Sequence, residues 1–404
     1  MKSEWKIKKI NDIATVVNGG TPDTNRKDFW GGDILWITPK DMGKLSSIYV
    51  DDTERKITEA GLKNSSAKMI PPNSIILSSR APIGHLAINN FEISTNQGCK
   101  GIIPKKEILT KYLFYFLRNS IELLNSLGTG TTFKELSSSK LNDVEIPLPP
   151  LPEQQRIVDI LDQSFAAIDR AIENTEKNIT FLFDLKKSYL TSILENNQDG
   201  NWIQQNIKSI TTKIGSGATP LGGKNSYHNK GISLIRSLNV YDDGFQYKDL
   251  AFIDEKQAQK LSSVEIEEKD ILLNITGASI LRCCLVPTDV LPARVNQHVL
   301  IVRPMKTIIL PEFLHLLIIS DKNKSNLLQI AKAGGSTREA LTKEGVSNFK
   351  ISYPKEISEQ EKLVDSYHSF VAQTDKLRNN YYEKFEKLQE LKQSILQKAF
   401  YGEL

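Results

Sequence analysis

Residues 153–158 read EQQRIV and residues 359–364 read EQEKLV. Further along, LKKSYL from Leu185 is answered by LKQSIL from Leu391. The stretch from Pro152 to Glu195 contains no glycine and no further proline. Its apolar residues fall at Leu161, Phe165, Ile168, Ile172, Ile179, Leu182, Tyr189 and Ile193, with Thr175 and Lys186 in the gaps. That spacing alternates four and three, which predicts a long helix whose apolar seam needs a partner helix. Ser358 to Phe400 repeats the pattern through Tyr367, Val371, Tyr381, Phe385, Leu388, Ile395 and Ala399, interrupted by Thr374 and Arg378. Pro152 suits a first helical position. Ser358 with Glu361 has capping-box spacing. Each helix, at about 42 residues, would span roughly 60 Å. Neither seam is satisfied alone, so the simplest arrangement pairs the two antiparallel.

Outward from these helices the repetition continues. Gly19-Gly20-Thr21-Pro22 is answered by Gly217-Ala218-Thr219-Pro220, and Ile34-Leu35-Trp36-Ile37 by Ile232-Ser233-Leu234-Ile235. Ile75-Ile76-Leu77 corresponds to Ile271-Leu272-Leu273, and Asn96-Gln97 to Asn296-Gln297. Gly130-Thr131-Thr132 corresponds to Gly335-Ser336-Thr337, and Trp5 and Trp202 open the two copies. The matches are collinear, at an offset drifting from about 196 to 206 residues. So long a period means two copies of one domain plan rather than a solenoid. DILWIT, NSIILSS and DILLNIT read as buried strands between Gly, Pro and Asn clusters. KYLFYFLRNSIELLNSL and EFLHLLIISDKNKSNLLQI read as helices. The expected fold is α/β (α+β): globular modules at 1–150 and 198–356, with long helices at 151–197 and 357–404. The two modules would lie at opposite ends of a coiled-coil spacer, related as a pseudo-twofold internal repeat.

A chain of 404 residues, 39% of them apolar, is too long for one ordinary core. No stretch approaches the 18 apolar residues of a membrane span. The start, MKSEWKIKKINDIATVV, lacks a signal-peptide core. Three cysteines, Cys99, Cys283 and Cys284, make neither a disulfide framework nor a zinc spacing. A reducing cytoplasm is therefore the expected location. The net charge of +4 conceals a segregation. Residues 1–150 carry 20 basic and 16 acidic side chains, and residues 201–356 carry 20 and 15. Residues 151–200 carry 5 and 9, and residues 357–404 carry 7 and 8. Two basic heads on an acidic spacer suit a phosphate backbone.

Signals for catalysis are lacking. The Pro71-Pro72-Asn73 order is wrong for a methyltransferase motif, and GATPLGGK from Gly217 to Lys224 fails as a phosphate loop because Asn225 follows the lysine. Asp23, Glu54 and Lys56 suit a solvated surface better than a nuclease site. His85, His228, His298, His315 and His368 show no ligand spacing. His315, in an apolar helix, reads as a packed core histidine.

With these features in hand, the chain resembles the specificity subunit of type I restriction-modification systems over almost its whole length. The most specific stretches are IPLPPLPEQQRIVDIL, Ile146 to Leu161, and LKQSILQKAFYGEL, Leu391 to Leu404. The GGTP turn, WITPKDM (Trp36 to Met42), SSRAPIG (Ser78 to Gly84) and GTTFKEL (Gly130 to Leu136) also look like motifs of the family's target recognition domains. The second module departs further: Leu234 replaces the tryptophan, Asn274 to Ile280 departs from SSRAPIG, and YPKEISEQ replaces LPPLPEQ. The resemblance implies two target recognition domains, each reading one half of a bipartite, asymmetric site on double-stranded DNA. It implies that the helices set the spacer and dock two modification subunits, which use S-adenosylmethionine to methylate adenine after base flipping. Restriction subunits would add translocation and cleavage driven by ATP with magnesium. The chain itself would be no enzyme and would hold no cofactor and no metal. The residues alone also admit a coiled-coil interaction scaffold with two adaptor domains.

Arg, Lys, Asn and Gln are the usual base-edge readers. The expected DNA-binding residues in the first module are Lys40, Arg80, Asn96, Gln97, Thr131, Thr132 and Lys134. In the second they are Arg236, Asn239, Arg294, Asn296, Gln297, Ser336, Thr337 and Arg338. Thr132 with Glu135 and Ser336 with Glu339 have capping-box spacing, which would point free N–H groups at a phosphate. Each residue also has a plainer role open to it: a cap, a turn or an ion pair.

Overall fold

Short runs of apolar and β-branched residues between turns become strands, and the two long heptad stretches become the two longest helices. The computed structural model describes residues 5–130, 134–195, 200–220, 222–333 and 340–404. Two compact units form: residues 1–176 with 383–404, and residues 177–382. Each unit holds one module and a part of both long helices.

In the first module the strands are β1 (Lys6–Lys9), β2 (Ala14–Asn18), β3 (Trp30–Ile37), β4 (Tyr49–Val50), β5 (Arg55–Ile57), β6 (Ile75–Ser79), β7 (Ile83–Asn89), β8 (Ile93–Thr95), β9 (Cys99–Pro104) and β10 (Glu145–Leu148). They form a five-stranded sheet ordered β2-β9-β6-β7-β4, a three-stranded sheet β5-β3-β8 and a pair β1-β10. The second module has β11 (Trp202–Asn206), β12 (Thr211–Ser216), β13 (Ile232–Ile235), β14 (Val240–Tyr241), β15 (Gly244–Phe245), β16 (Ala251–Ile253), β17 (Ile271–Asn274), β18 (Cys283–Leu285), β19 (Ala293–Val295), β20 (Val299–Pro304) and β21 (Lys350–Pro354). Its sheets run β12-β20-β17-β18, β16-β13-β19 and β11-β21, the same plan with the hairpin β14-β15 added and, among the described residues, no counterpart of β4 on the larger sheet. Even the unusual pairing recurs. Leu35 lies opposite Ile93 in a parallel ladder of the first module, and Leu234 lies opposite Arg294 in the second.

The helical stretch of each module is interrupted. The first splits into Thr110–Asn119 and Ile121–Leu127, and the second into Pro311–Ile319 and Asp321–Ala333. At the second break the Ser320 hydroxyl donates to the Leu317 carbonyl at 2.7 Å, a side-chain bond that competes with the helical ladder.

The long helices run Leu151–Glu195 and Ile357–Tyr401, 45 residues each, or about 68 Å. They begin one residue before the positions marked by Pro152 and Ser358. The carbonyls of Pro150 and Glu356 accept the first helical N–H groups, so the cap is backbone rather than the Ser358 hydroxyl. The expected seam is where burial falls: Leu161, Phe165, Ile168, Thr175, Leu182 and Ile193 are buried on the first helix. Within the first unit Arg156 donates to the Leu404 carbonyl at 2.7 Å and Lys392 pairs with Asp169. Within the second unit Lys186 pairs with Asp375 and Tyr189 stacks on Phe370, ring centroids 3.9 Å apart. Rising numbers on one helix meet falling numbers on the other, so the helices are antiparallel. Lys186 and Asp169 correspond in the repeat to Lys392 and Asp375. One ion pair therefore occurs twice with the helices exchanging roles.

Each unit's main core joins a sheet face to these helices. In the first, Tyr112, Phe116, Leu117, Ile157, Leu161, Phe165, Leu396 and Phe400 share one cluster. Phe400 lies 5.3 Å from Tyr112 and 5.5 Å from Phe116, centroid to centroid. Fully burying such side chains contributes about 1.5–3 kcal/mol each. In the second unit Phe313, Leu314, Leu317, Leu190, Leu194 and Val364 do the same.

A buried glutamine locks each module to its helix. Gln154, fully buried, accepts the Leu109 N–H at 2.9 Å and donates to the carbonyls of Glu107 (3.0 Å) and Pro149 (2.9 Å). Gln360 repeats this with the Leu310 N–H (2.8 Å) and the carbonyls of Ile308 (3.1 Å) and Pro354 (2.9 Å). These are the glutamines of the EQ motif that marks the repeat.

Candidate nucleic-acid interface

Five segments far apart in sequence meet at one edge of the first module. Asn96, after β8, donates its N–H to the Ile37 carbonyl at the end of β3 (2.9 Å). The Gly98 carbonyl accepts from Ser79 at the end of β6 (2.8 Å), and the Ser79 carbonyl accepts from Leu136 (2.9 Å). The Gly20 N–H reaches the Thr95 carbonyl at 2.8 Å. The GGTP, WITPKDM, SSRAPIG and Asn96-Gln97 segments, with Lys134 to Leu136 at the end of GTTFKEL, are thus one knot of loops. Trp36, buried, braces it by donating from Nε1 to the Gly20 carbonyl at 3.0 Å.

The second module ties the same knot. Asn296 donates to the Ile235 carbonyl (3.1 Å), Ile275 to the His298 carbonyl (3.0 Å), Leu341 to the Ile275 carbonyl (2.8 Å) and Gly217 to the Asn296 carbonyl (3.1 Å). Side chains repeat too. Asn96 Oδ1 accepts the Gly98 N–H at 2.6 Å, and Asn296 Oδ1 accepts the His298 N–H at 3.0 Å. The Thr21 hydroxyl donates to Gln97 Oε1 and the Thr219 hydroxyl to Gln297 Oε1.

The expected DNA readers divide into groups. Lys40, on the short helix Pro39–Met42, and Lys134 are exposed at the first knot. Gln97 and Gln297 are exposed and bonded to the threonines of their turns. Arg80 is half-buried, with its guanidinium 3.9 Å from Glu135. Arg236 is half-buried, donates to the Asp249 carbonyl and lies over the Tyr227 ring at 5.1 Å. Four others are bonded to groups of the protein itself. Asn96 and Asn296 hold their turns. Asn239 is fully buried and donates to the carbonyls of Gln246 (2.8 Å) and Lys248 (3.2 Å). Arg294 is buried and donates to the carbonyls of Ala258 (3.2 Å) and Ala293 (2.9 Å), with Glu265 at 3.4 Å. Asn239 thereby spends both of its amide hydrogens on backbone carbonyls. Thr131, Thr132, Ser336, Thr337 and Arg338 lie outside the described residues, as does Glu339.

The second knot opens onto a cleft of about 430 Å³ lined by Tyr241, Thr276, Ser279, Arg282 and His298 among others. Arg282 stands in the apolar run ILRCCLV, where only strand register could single it out. Cys99, Cys284 and His315 behave as packed groups. Burial pushes the Cys99 and Cys284 thiols up to about 12, which leaves them unreactive. The His315 ring N–H reaches the Cys283 carbonyl at 3.2 Å, and burial lowers its pKa, as a packed histidine requires. Among the described residues no three His, Cys, Asp or Glu side chains converge to hold a metal. No described helix is long and apolar enough to cross a membrane.

Comparison with known proteins gives the same twofold division. Residues 2–181 and 182–387 each match the family model of the type I restriction modification DNA specificity domain. The chain is 44% identical over 176 residues to the type I restriction enzyme MjaIX specificity subunit of Methanocaldococcus jannaschii, covering 43% of this chain and 40% of that protein. It is 36% identical over 200 residues to the EcoR124I/EcoR124II specificity subunit of Escherichia coli, covering 46% of this chain and 48% of that protein. Both alignments thus span less than half the length of those relatives. With the EcoKI specificity subunit of Escherichia coli K12 the alignment is longer and weaker: 22% identity over 431 residues, 99% of this chain and 89% of that one. Among solved structures, one described as the complex assembly and conformational transition of the type I R-M system aligns over 100% of this chain and 99% of its own, with a TM-score of 0.76 and 17% identity. The HsdS subunit from Thermoanaerobacter tengcongensis aligns over 100% and 98%, with a TM-score of 0.59 and 16% identity. At such identities the likeness is one of fold. Two successive copies of one domain, each on the same sheets and closing the same knot of loops, show that this chain belongs to the type I restriction-modification DNA specificity family.

Proposed function

We propose that the chain is the DNA-recognition subunit of a type I restriction-modification complex. Each module reads one half of a two-part site on double-stranded DNA, and the antiparallel helices set the distance between the halves. One observation carries this reading: the same knot of loops is built twice on one chain, with different side chains presented at equivalent places. A shared frame with different exposed groups suits two different half-sites. The basic balance of both modules supports it, since phosphate contacts supply position and base contacts supply sequence. The helix pair also carries two modification subunits, which supply S-adenosylmethionine and methylate adenine. Restriction subunits add ATP-driven translocation with magnesium. The chain contributes no catalytic group or cofactor of its own, and the complex works in the cytoplasm, where its DNA is.

The test is methylation of a random duplex library by the cognate modification subunit, with and without this chain. Methylation at a two-part motif only when both proteins are present is the expected result. Methylation by this chain alone, or no effect of adding it, would overturn the reading.

Lys40→Ala and Lys134→Ala check the electrostatic part. Both side chains are exposed and reach solvent at the first knot. Each substitution should weaken binding about equally on all sequences and flatten the dependence of log K on log salt by about 0.9. Titrations at several salt concentrations read this out. An altered sequence preference would instead make that lysine a base reader.

A further inference from the structure

Strand register aligns the two knots residue by residue. Ile75 faces Ile102 and Ile88 in the first module, and Ile271 faces Val302 and Leu285 in the second. Counting along the ladders from there, Arg282 beside β18 stands where His85 stands in β7. From the shared Asn96 and Asn296, His298 stands where Gly98 stands. The turns after β3 and β13 align through Asp41 and Asn239, whose side chains accept the N–H groups of Thr38 (2.9 Å) and Arg236 (3.1 Å). Tyr241 therefore occupies the place of Gly43. The contact is kept although the residues differ. A Cβ on Gly43 would lie 3.5 Å from the His85 ring, and the Arg282 guanidinium lies 4.2 Å from the Tyr241 ring centroid.

What the two knots share cannot tell one half-site from another. The asparagines, the glutamines and the Gly-x-Thr-Pro turns are the same in both. What differs at equivalent places and faces the cleft can discriminate. Arg282 meets both conditions. It is half-buried at the cleft, has no carboxylate partner among the described residues and is steadied by the face of Tyr241. The planar guanidinium presents a fork of N–H donors, which matches the two acceptors of guanine in the major groove. His298 stands beside it, its Nδ1 fixed at 2.6 Å from the Thr276 hydroxyl.

We propose that Arg282, positioned by Tyr241 and flanked by His298, determines a guanine in the half-site read by the second module. This rests on the functional reading above. The experiment maps methylated adenines on genomic DNA for the full complex, wild type against Arg282→His, Arg282→Lys and Tyr241→Gly. Arg282→His installs the first module's residue, while Arg282→Lys keeps the charge and loses the fork. The expected result is that one G·C pair of one half-site loses about 5- to 150-fold of its preference in both Arg282 variants, the range of a lost bidentate base contact. Tyr241→Gly should relax the same pair less, and the other half-site should not change. Should one variant fail to fold, the other two carry the test. An unchanged motif in the folded variants, or a change in both half-sites, overturns the assignment of Arg282 while leaving two-part recognition standing. A wild-type complex with no two-part motif overturns both.

Discussion

Gly217→Ala is expected to unfold the second knot while leaving the first intact. A Cβ on Gly217 would come within 3.0 Å of the Val295 carbonyl, backbone against backbone, and would also crowd Val264. No rotamer relieves such a contact, because neither atom belongs to a movable side chain. The Gly217 N–H is bonded to the Asn296 carbonyl at 3.1 Å, so the turn cannot move away without losing the bond that closes the knot. The cost should be about 3 kcal/mol or more. For a unit of this size, that is a melting-temperature fall of about 6–12 °C in the transition of residues 177–382. Gly215→Ala is the control: a Cβ there meets nothing within 4 Å. It should be neutral or slightly stabilising, although it lies two residues away. Calorimetry of both variants decides the matter. Equal melting profiles would mean that the turn has room the structure does not show. In the full complex, Gly217→Ala should blur one half-site only.

Gln154→Ala should cost about 3 kcal/mol, and Gln360→Ala about the same in the other unit. Each substitution takes away the partner of one N–H and two carbonyls at a side chain that is itself fully buried. Leaving a buried polar group unpaired costs more than the average hydrogen bond contributes. Gln155→Ala, one residue on, should change stability little, because that side chain is exposed and its bond, to Asp159 at 2.7 Å, lies on the surface. Chemical denaturation of the three variants gives the comparison. If Gln154→Ala matched Gln155→Ala, the glutamine would not be what joins module to helix. On the proposed function, a module loosened from its helix would no longer hold its half-site at a defined distance.

Much of the architecture is legible in the residues alone. The heptad seam from Leu161 to Ile193 is the buried stripe of the first long helix, because a 3.5-residue period can be satisfied only along a partner helix. The motif pairs Gly19-Gly20 with Gly217-Ala218, and Asn96 with Asn296, are equivalent corners of equivalent knots. Single residues are harder to read. Asn239 and Arg294 carry the chemistry of base readers, yet burial spends that chemistry on backbone carbonyls. Residue type announces what a side chain can bind, whereas burial decides what it does bind. Gln154 and Gln360 stand in the sequence as parts of a motif without a role, since nothing local says that a helix glutamine will face the loop before the Thr110 or Pro311 helix. Arg282 escapes notice because its neighbours in sequence are apolar.

The sequence by itself determined that there are two copies, that each owns a long helix, and that the charge divides into basic modules and acidic helical segments. Those features are periodic or additive along the chain, so one dimension suffices to read them. Only the tertiary structure decided which loops meet and which glycine must be bare. It also separated the polar side chains consumed by the frame from those left facing the cleft. Such facts depend on contacts between residues tens to hundreds of positions apart, and strand register sets those contacts. A one-residue slip would turn every side chain to the opposite face.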